Sequence, residues 1–190
     1  MRTRDPFGQA LCVLRRTLRD GGLAPGQHLP INDIALALGL SASPVREALS
    51  RLCGEGLIED RRGLGYFTRI LPTEDIVGLL ELEQAHVELA VRLSSQDFQA
   101  GEEPDDVFVW IRAVVEECGS VPLKESFDRV ASRLETPRAT PAGRSRGQGE
   151  ENDDPLLRMR DAYRVWTENA RVTADQLRRM PPAALRIDEQ

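Results

Sequence analysis

Residues 39–67 hold the pattern that most restricts what this chain can become: a helix closed by Gly39, a short polar turn, a second amphipathic helix, and two apolar runs around paired glycines. In the second helix Val45, Ala48, Leu49 and Leu52 recur at helical spacing and form one apolar stripe. Pro44 belongs in its first turn, where a missing N–H costs nothing, and Ser41 or Ser43 is placed to cap it by accepting a backbone N–H. Ser43, Arg46, Glu47 and Ser50 fall on the opposite, outer face. Two helices joined by a turn this short make a helix-turn-helix.

That outer face begins at a helix N-terminus, which offers unpaired N–H groups and a positive dipole to a phosphate. An arginine one turn in can pair with a guanine edge. Ser41, Ser43 and Arg46 are therefore expected to read or clamp a major groove. Downstream, Gly56 is expected to stop the helix, with strands over 57–60 and 66–70 and the turn over 61–65. Arg61 and Arg62, set among Gly63 and Gly65, put charge at a hairpin tip where the backbone can approach a phosphate or a minor groove. Asn32, in the first turn of a helix predicted over 31–38, and Arg51 are weaker candidates for backbone contacts; Asn32 serves equally well as a cap.

The run Ala24-Pro25-Gly26-Gln27-His28-Leu29, then Ile34-Ala35-Leu36-Ala37-Leu38-Gly39, then Ser41-Ala42-Ser43-Pro44-Val45-Arg46-Glu47-Ala48-Leu49, then Glu55-Gly56-Leu57-Ile58 and Gly65-Tyr66-Phe67 resembles the GntR family of bacterial transcription regulators. The resemblance covers about residues 8–70, with several motif pieces in the right order and spacing. It implies a winged-helix domain, a homodimer on a palindromic operator in double-stranded DNA, and a C-terminal domain that senses a small-molecule effector. Two positions depart from the family pattern. Ala42 stands where the family usually carries arginine, which removes one expected DNA contact, and Leu64 precedes the wing glycine.

Charge divides along the chain in the sense this reading needs. Residues 1–70 hold ten arginines against seven carboxylates, whereas the whole chain holds 25 basic and 31 acidic residues, so the remainder is strongly acidic. A basic module joined to an acidic body fits nucleic-acid binding by the first part only. Three cysteines at unrelated spacings suggest neither a disulfide framework nor a zinc site, and are expected to be reduced in a cytoplasm. No apolar run is long enough to span a bilayer, so no membrane association is expected.

The expected architecture is mainly α, with an N-terminal winged helix-turn-helix over 1–70, a small two-stranded wing, and an all-α C-terminal part. The first helix is predicted from Pro6 to Arg19; Arg15, Arg16 and Arg19 lie off its stripe, on a solvated face that can also touch phosphates. A helical domain follows over 71–134, with helices from about Thr73 to Ser94, from about Asp105 to Glu117 and from about Pro122 to Leu134. Residues 135–154, rich in Pro, Gly and charge, read as a flexible linker. A last helix is predicted over 155–180. Its Leu156, Met159, Tyr163, Trp166, Ala170, Thr173, Leu177 and Met180 form a seam that completes the bundle or makes a dimer interface. Residues 81–93 loosely resemble the first helix of the effector domain in the FadR branch of the family.

Effector domains of that branch commonly hold a divalent metal with one acidic residue and three histidines. This sequence has two histidines, His28 and His86, so no such site forms within one chain. Glu83 and His86 share a helical face, as half of a carboxylate metal centre would, but a hydrogen-bonded core histidine is the commoner outcome. Neither a metal nor a cofactor is expected. No nucleophile with its base and no phosphate-cradling loop is present, so the chain does not read as an enzyme. The rival to a DNA-binding regulator is a protein-interaction adaptor that keeps a winged helix as scaffold and acts through its acidic helices.

Overall fold

A computed structural model describes residues 5–19, 22–94, 107–141, 143 and 154–180. The chain divides into two compact units, Met1–Leu71 with Asp175–Gln190, and Pro72–Ala174.

In the first unit α1 (Pro6–Arg19), α2 (Ile31–Leu38) and α3 (Ala42–Gly54) precede a hairpin of β1 (Ile58–Arg61) and β2 (Gly65–Thr68). The stripes expected from periodicity meet in one core: Ala10 and Leu14 of α1, Ile34 and Leu38 of α2, and Val45, Ala48, Leu49 and Leu52 of α3 are buried together with Leu23, Leu29 and Ile58. Gly39 takes φ 62 and ends α2, with the Leu40 N–H donating to the Ala35 carbonyl at 2.9 Å. That left-handed residue turns the chain sharply enough for α3 to start three residues later.

Several local expectations need correction. α3 begins at Ala42 with Ser41 at the cap position, yet the Ser41 side chain makes no capping bond, and the Ser43 hydroxyl donates instead to Glu47 at 3.3 Å. The helix closes at Gly54, ahead of Gly56, and both strands are four residues long, shifted from the predicted ranges. The hairpin also gains a neighbour that no local pattern announced. Gly26 N–H donates to the Thr68 carbonyl at 3.1 Å, Thr68 N–H to Gln27 at 3.0 Å, and Leu29 N–H to Tyr66 at 2.8 Å, so 26–29 pairs along β2. Thr68 is buried, and its hydroxyl donates to the Ala24 carbonyl at 2.5 Å while accepting from Gln27 N–H at 2.8 Å.

The second unit packs α4 (Thr73–Leu93), α5 (Val107–Glu117), α6 (Val121–Ala139) and α7 (Pro155–Glu168); α8 (Ala170–Arg179) follows. Helix α4 lies against α5, α6 and α7, burying Ile76, Leu79, Leu80, Val87 and Ala90. Asp154 caps α7 by accepting the Leu156 N–H at 2.9 Å, and Pro155 occupies its first turn. Helix α6 runs through Ala139 and so occupies the start of the stretch expected to be a linker; residues 144–153 of that stretch lie outside the described residues. Pro137 sits inside α6 and is buried. The expected single last helix is two, interrupted at Asn169; of the expected seam Met159, Tyr163, Trp166, Ala170 and Thr173 are buried, as is Leu177, while Leu156 and Met180 are half-buried. Among the described residues no helix is long and apolar enough to cross a membrane.

Candidate nucleic-acid interface

Helix α3 presents a clean division between its faces. Val45, Ala48, Leu49 and Leu52 are buried, whereas Ser41, Ser43, Arg46, Glu47 and Ser50 are exposed, beginning at the helix N-terminus. Ala42 is the first residue of the helix and is half-buried. Asn32 is exposed in the first turn of α2. No acidic residue belongs to the first turn of α3, although the Glu47 carboxylate reaches back to the Ser43 hydroxyl there.

Arg51 and Arg15 converge on Glu55, beyond the C-terminus of α3. Arg51 Nε donates to Glu55 Oε1 at 2.7 Å and Arg15 Nη2 to the same oxygen at 2.5 Å. Burial works against ionisation of Glu55, but the hydrogen bonds and charges of Arg15 and Arg51 together outweigh it and hold the carboxyl below its ordinary range. Arg15 thus fastens α1 to the end of α3, and Arg51 holds the shared carboxylate from within α3. A phosphate contact by Arg51 has to compete with that carboxylate, and the sequence offered no signal for the pairing because forty residues separate Arg15 from Glu55.

The wing is built around an aromatic support. Arg61, opposite Gly65 in the hairpin register, is held by Glu59 at 2.6 Å and lies over the Phe67 ring at 4.2 Å. His28 packs against the same ring, with centroids 4.8 Å apart. A side chain at Gly65, where φ is 94, would also meet His28 Nε2 at 3.3 Å. Arg62, Gly63 and Leu64 form the exposed tip. Arg61 is accordingly a braced cation, Arg62 an exposed one, and Gly65 a backbone requirement. His28 and Phe67 are supports of the hairpin that a linear reading missed; only the pairing of 26–29 with β2 brings them together.

The second unit holds its chemistry inside. Glu83 is buried and paired with Arg138, whose Nη1 donates to Glu83 Oε1 at 3.1 Å, and the Tyr163 hydroxyl donates to Glu83 Oε2 at 2.8 Å. The Arg138 guanidinium stacks over Phe108 at 4.6 Å and Trp166 at 5.1 Å. Burial and the adjoining Glu83 charge push the Tyr163 phenol far up, so it is a hydrogen-bond donor at any ordinary pH. His86 does not join Glu83. Its Nδ1–H donates to the Leu82 carbonyl at 2.6 Å, and Nε2 accepts from the Ser126 hydroxyl at 2.8 Å. Among the described residues no cluster of three or more metal-ligating side chains is present.

Comparison with known proteins places the first unit. The model of the family of bacterial regulatory proteins, gntR family, matches residues 8–67. Residues 8–67 are a GntR-family domain. The chain is 36% identical to the Nta operon transcriptional regulator of Aminobacter aminovorans over 38% of its own length and 34% of the relative's. It is 33% identical to a probable D-xylose utilization operon transcriptional repressor of Paenarthrobacter nicotinovorans, over 43% and 36% of the two chains. The matched stretch thus spans about a third of each of these curated relatives. Among solved structures, a putative transcriptional regulator GntR from Rhodococcus sp. RHA1 superposes with a TM-score of 0.63 at 20% identity, covering 92% of this chain and 93% of that one. E. coli McbR/YncC gives 0.54 at 20% identity, with 92% and 94% covered. The fold is that of a GntR winged helix followed by a helical domain.

Proposed function

We propose that this chain is a sequence-specific DNA-binding transcription regulator of the GntR type, acting in the cytoplasm as a homodimer on a palindromic operator and answering to a small molecule through its helical unit. The observation that carries the reading is the exposed polar face at the start of α3, mounted on a fully apolar back within a GntR domain. In this reading Ser41, Ser43 and Arg46 enter the major groove, while Arg61, Arg62 and Gly65 bring the wing to the backbone. Asn32 and Arg51 add phosphate contacts, the latter in exchange for Glu55.

The test is selection of bound duplexes from a random pool, followed by anisotropy titration of the selected site and a scrambled control over a range of salt. Expected are half-sites about one helical turn apart and a steep fall of affinity with salt. Weak, salt-insensitive binding with no enriched sequence overturns the reading and favours the adaptor.

A further inference from the structure

Helix α3 carries a carboxylate near the middle of the face it turns outward. With a rotation of about 100° per residue, the buried Val45, Ala48, Leu49 and Leu52 define one direction, and the residues around the opposite direction can be ranked. Ser43 lies about 10° from it, Glu47 and Ser50 about 30° to either side, and Arg46 and Arg51 flank it at about 70°. All five are exposed. Glu47, not Arg46, is therefore the charged residue closest to the centre of the outer face. The Ser43 hydroxyl donates to Glu47 Oε1 at 3.3 Å, which draws the carboxylate one turn back toward the start of the helix. Among the described residues no cation is paired with it.

A carboxylate taken into a groove walled by phosphates loses water and meets like charge, so it is tolerated there only where a base supplies a donor. The four bases differ in what they can supply. On the major-groove edge guanine shows the acceptors N7 and O6, thymine shows O4 beside a methyl group, and adenine sets its N6 donor next to the acceptor N7. Cytosine alone presents a donor, its N4 amino group, with no acceptor beside it. A carboxylate held over that edge accepts a hydrogen bond from cytosine and faces lone pairs on every other base.

We infer that Glu47 is a base-reading residue, selecting cytosine at one position of each half-site by accepting from its N4 amino group. The inference rests on the DNA-binding reading above and adds to Arg46 a reader of opposite charge. Its selectivity comes as much from rejection as from attraction, since a wrong base leaves the carboxylate against an acceptor with no partner.

The experiment uses the full chain. Wild type, Glu47→Ala and Glu47→Gln are each carried through selection from a random duplex pool, then titrated against the wild-type site, its single-base variants and scrambled DNA. Glu47 is exposed, so both variants keep the fold, checked by thermal melts. Wild type is expected to enrich cytosine at one position of each half-site and to bind about 10-fold more weakly when thymine replaces it there. In Glu47→Ala that ratio falls below about 2-fold while binding to scrambled DNA tightens, because a charge that the phosphates repel is gone. Glu47→Gln gains adenine at the same position, since an amide pairs with both N6 and N7. A folded Glu47→Ala protein that keeps the full preference for cytosine, or that changes its affinity for every duplex by one common factor, overturns the assignment and leaves the regulator standing. A wild type that enriches no sequence overturns both.

Discussion

Glu83 and Arg138, fifty-five residues apart, form an ion pair in the interior of the helical unit, with side chains only 1% and 16% exposed. Tyr163 supplies a further hydrogen bond to the carboxylate, and two aromatic rings cover the guanidinium. Such a pair is costly to break from one side and cheap to replace from both, because a lone buried charge loses its compensation.

Glu83→Ala is therefore expected to destabilise the helical unit by about 3–5 kcal/mol, and Glu83→Leu combined with Arg138→Met by much less than either change alone. The measurement is urea denaturation followed by tryptophan fluorescence. Both tryptophans, Trp110 and Trp166, belong to this unit, so the signal reports it without interference from the winged helix. A loss below about 1 kcal/mol for Glu83→Ala would show that the pair does not hold the helices.

Arg46→Ala should abolish discrimination between the operator and scrambled DNA while leaving the circular-dichroism spectrum unchanged. Arg46 is exposed and the buried stripe of α3 does not include it. A loss of about 1–3 kcal/mol in operator affinity is expected for a base-edge contact. An unchanged operator affinity in a folded variant rules Arg46 out as a reader.

Ala42 opens α3 at the position where the resemblance to the family leads one to expect arginine, and it is half-buried at the helix N-terminus. Ala42→Arg should raise affinity. For a phosphate contact the gain should be similar on all sequences and the salt slope should steepen by about 0.9, whereas a base contact should favour some operators over others. Anisotropy titrations at several salt concentrations decide the matter; weaker binding by a folded variant contradicts the docking geometry.

Glu55 provides a pH test. Its carboxyl titrates below the ordinary range in the folded chain, so its contribution to stability is present above the unfolded value and lost as pH falls through the folded one. Glu55→Gln should cost at most about 1 kcal/mol near neutrality, since Arg15 and Arg51 are 41% and 64% exposed. Thermal melts of both proteins should converge between about pH 6 and about pH 3. A difference that stays constant over that range would assign the effect to packing.

The sequence by itself determined the helix-turn-helix and most of the helix positions. Apolar residues at helical spacing and a glycine that alone tolerates the left-handed turn at position 39 act within a few residues of one another, so α1, α2 and α3 were legible locally. The exposed face of α3 followed from the same periodicity. Tertiary structure decided what depends on distant partners. Pro137 lacks an N–H and reads as a helix breaker, yet α6 continues past it, with Pro137 buried and Arg138 tied to Glu83 and two aromatic rings. Glu83 and His86 share a helical face in sequence, but contacts from α6 and α7 gave them separate partners. The packing of His28 on Phe67 exists only because 26–29 pairs along the wing. Local propensity fixes an element within its own few turns; where it ends and which charge it buries are settled by side chains that the linear pattern cannot bring together.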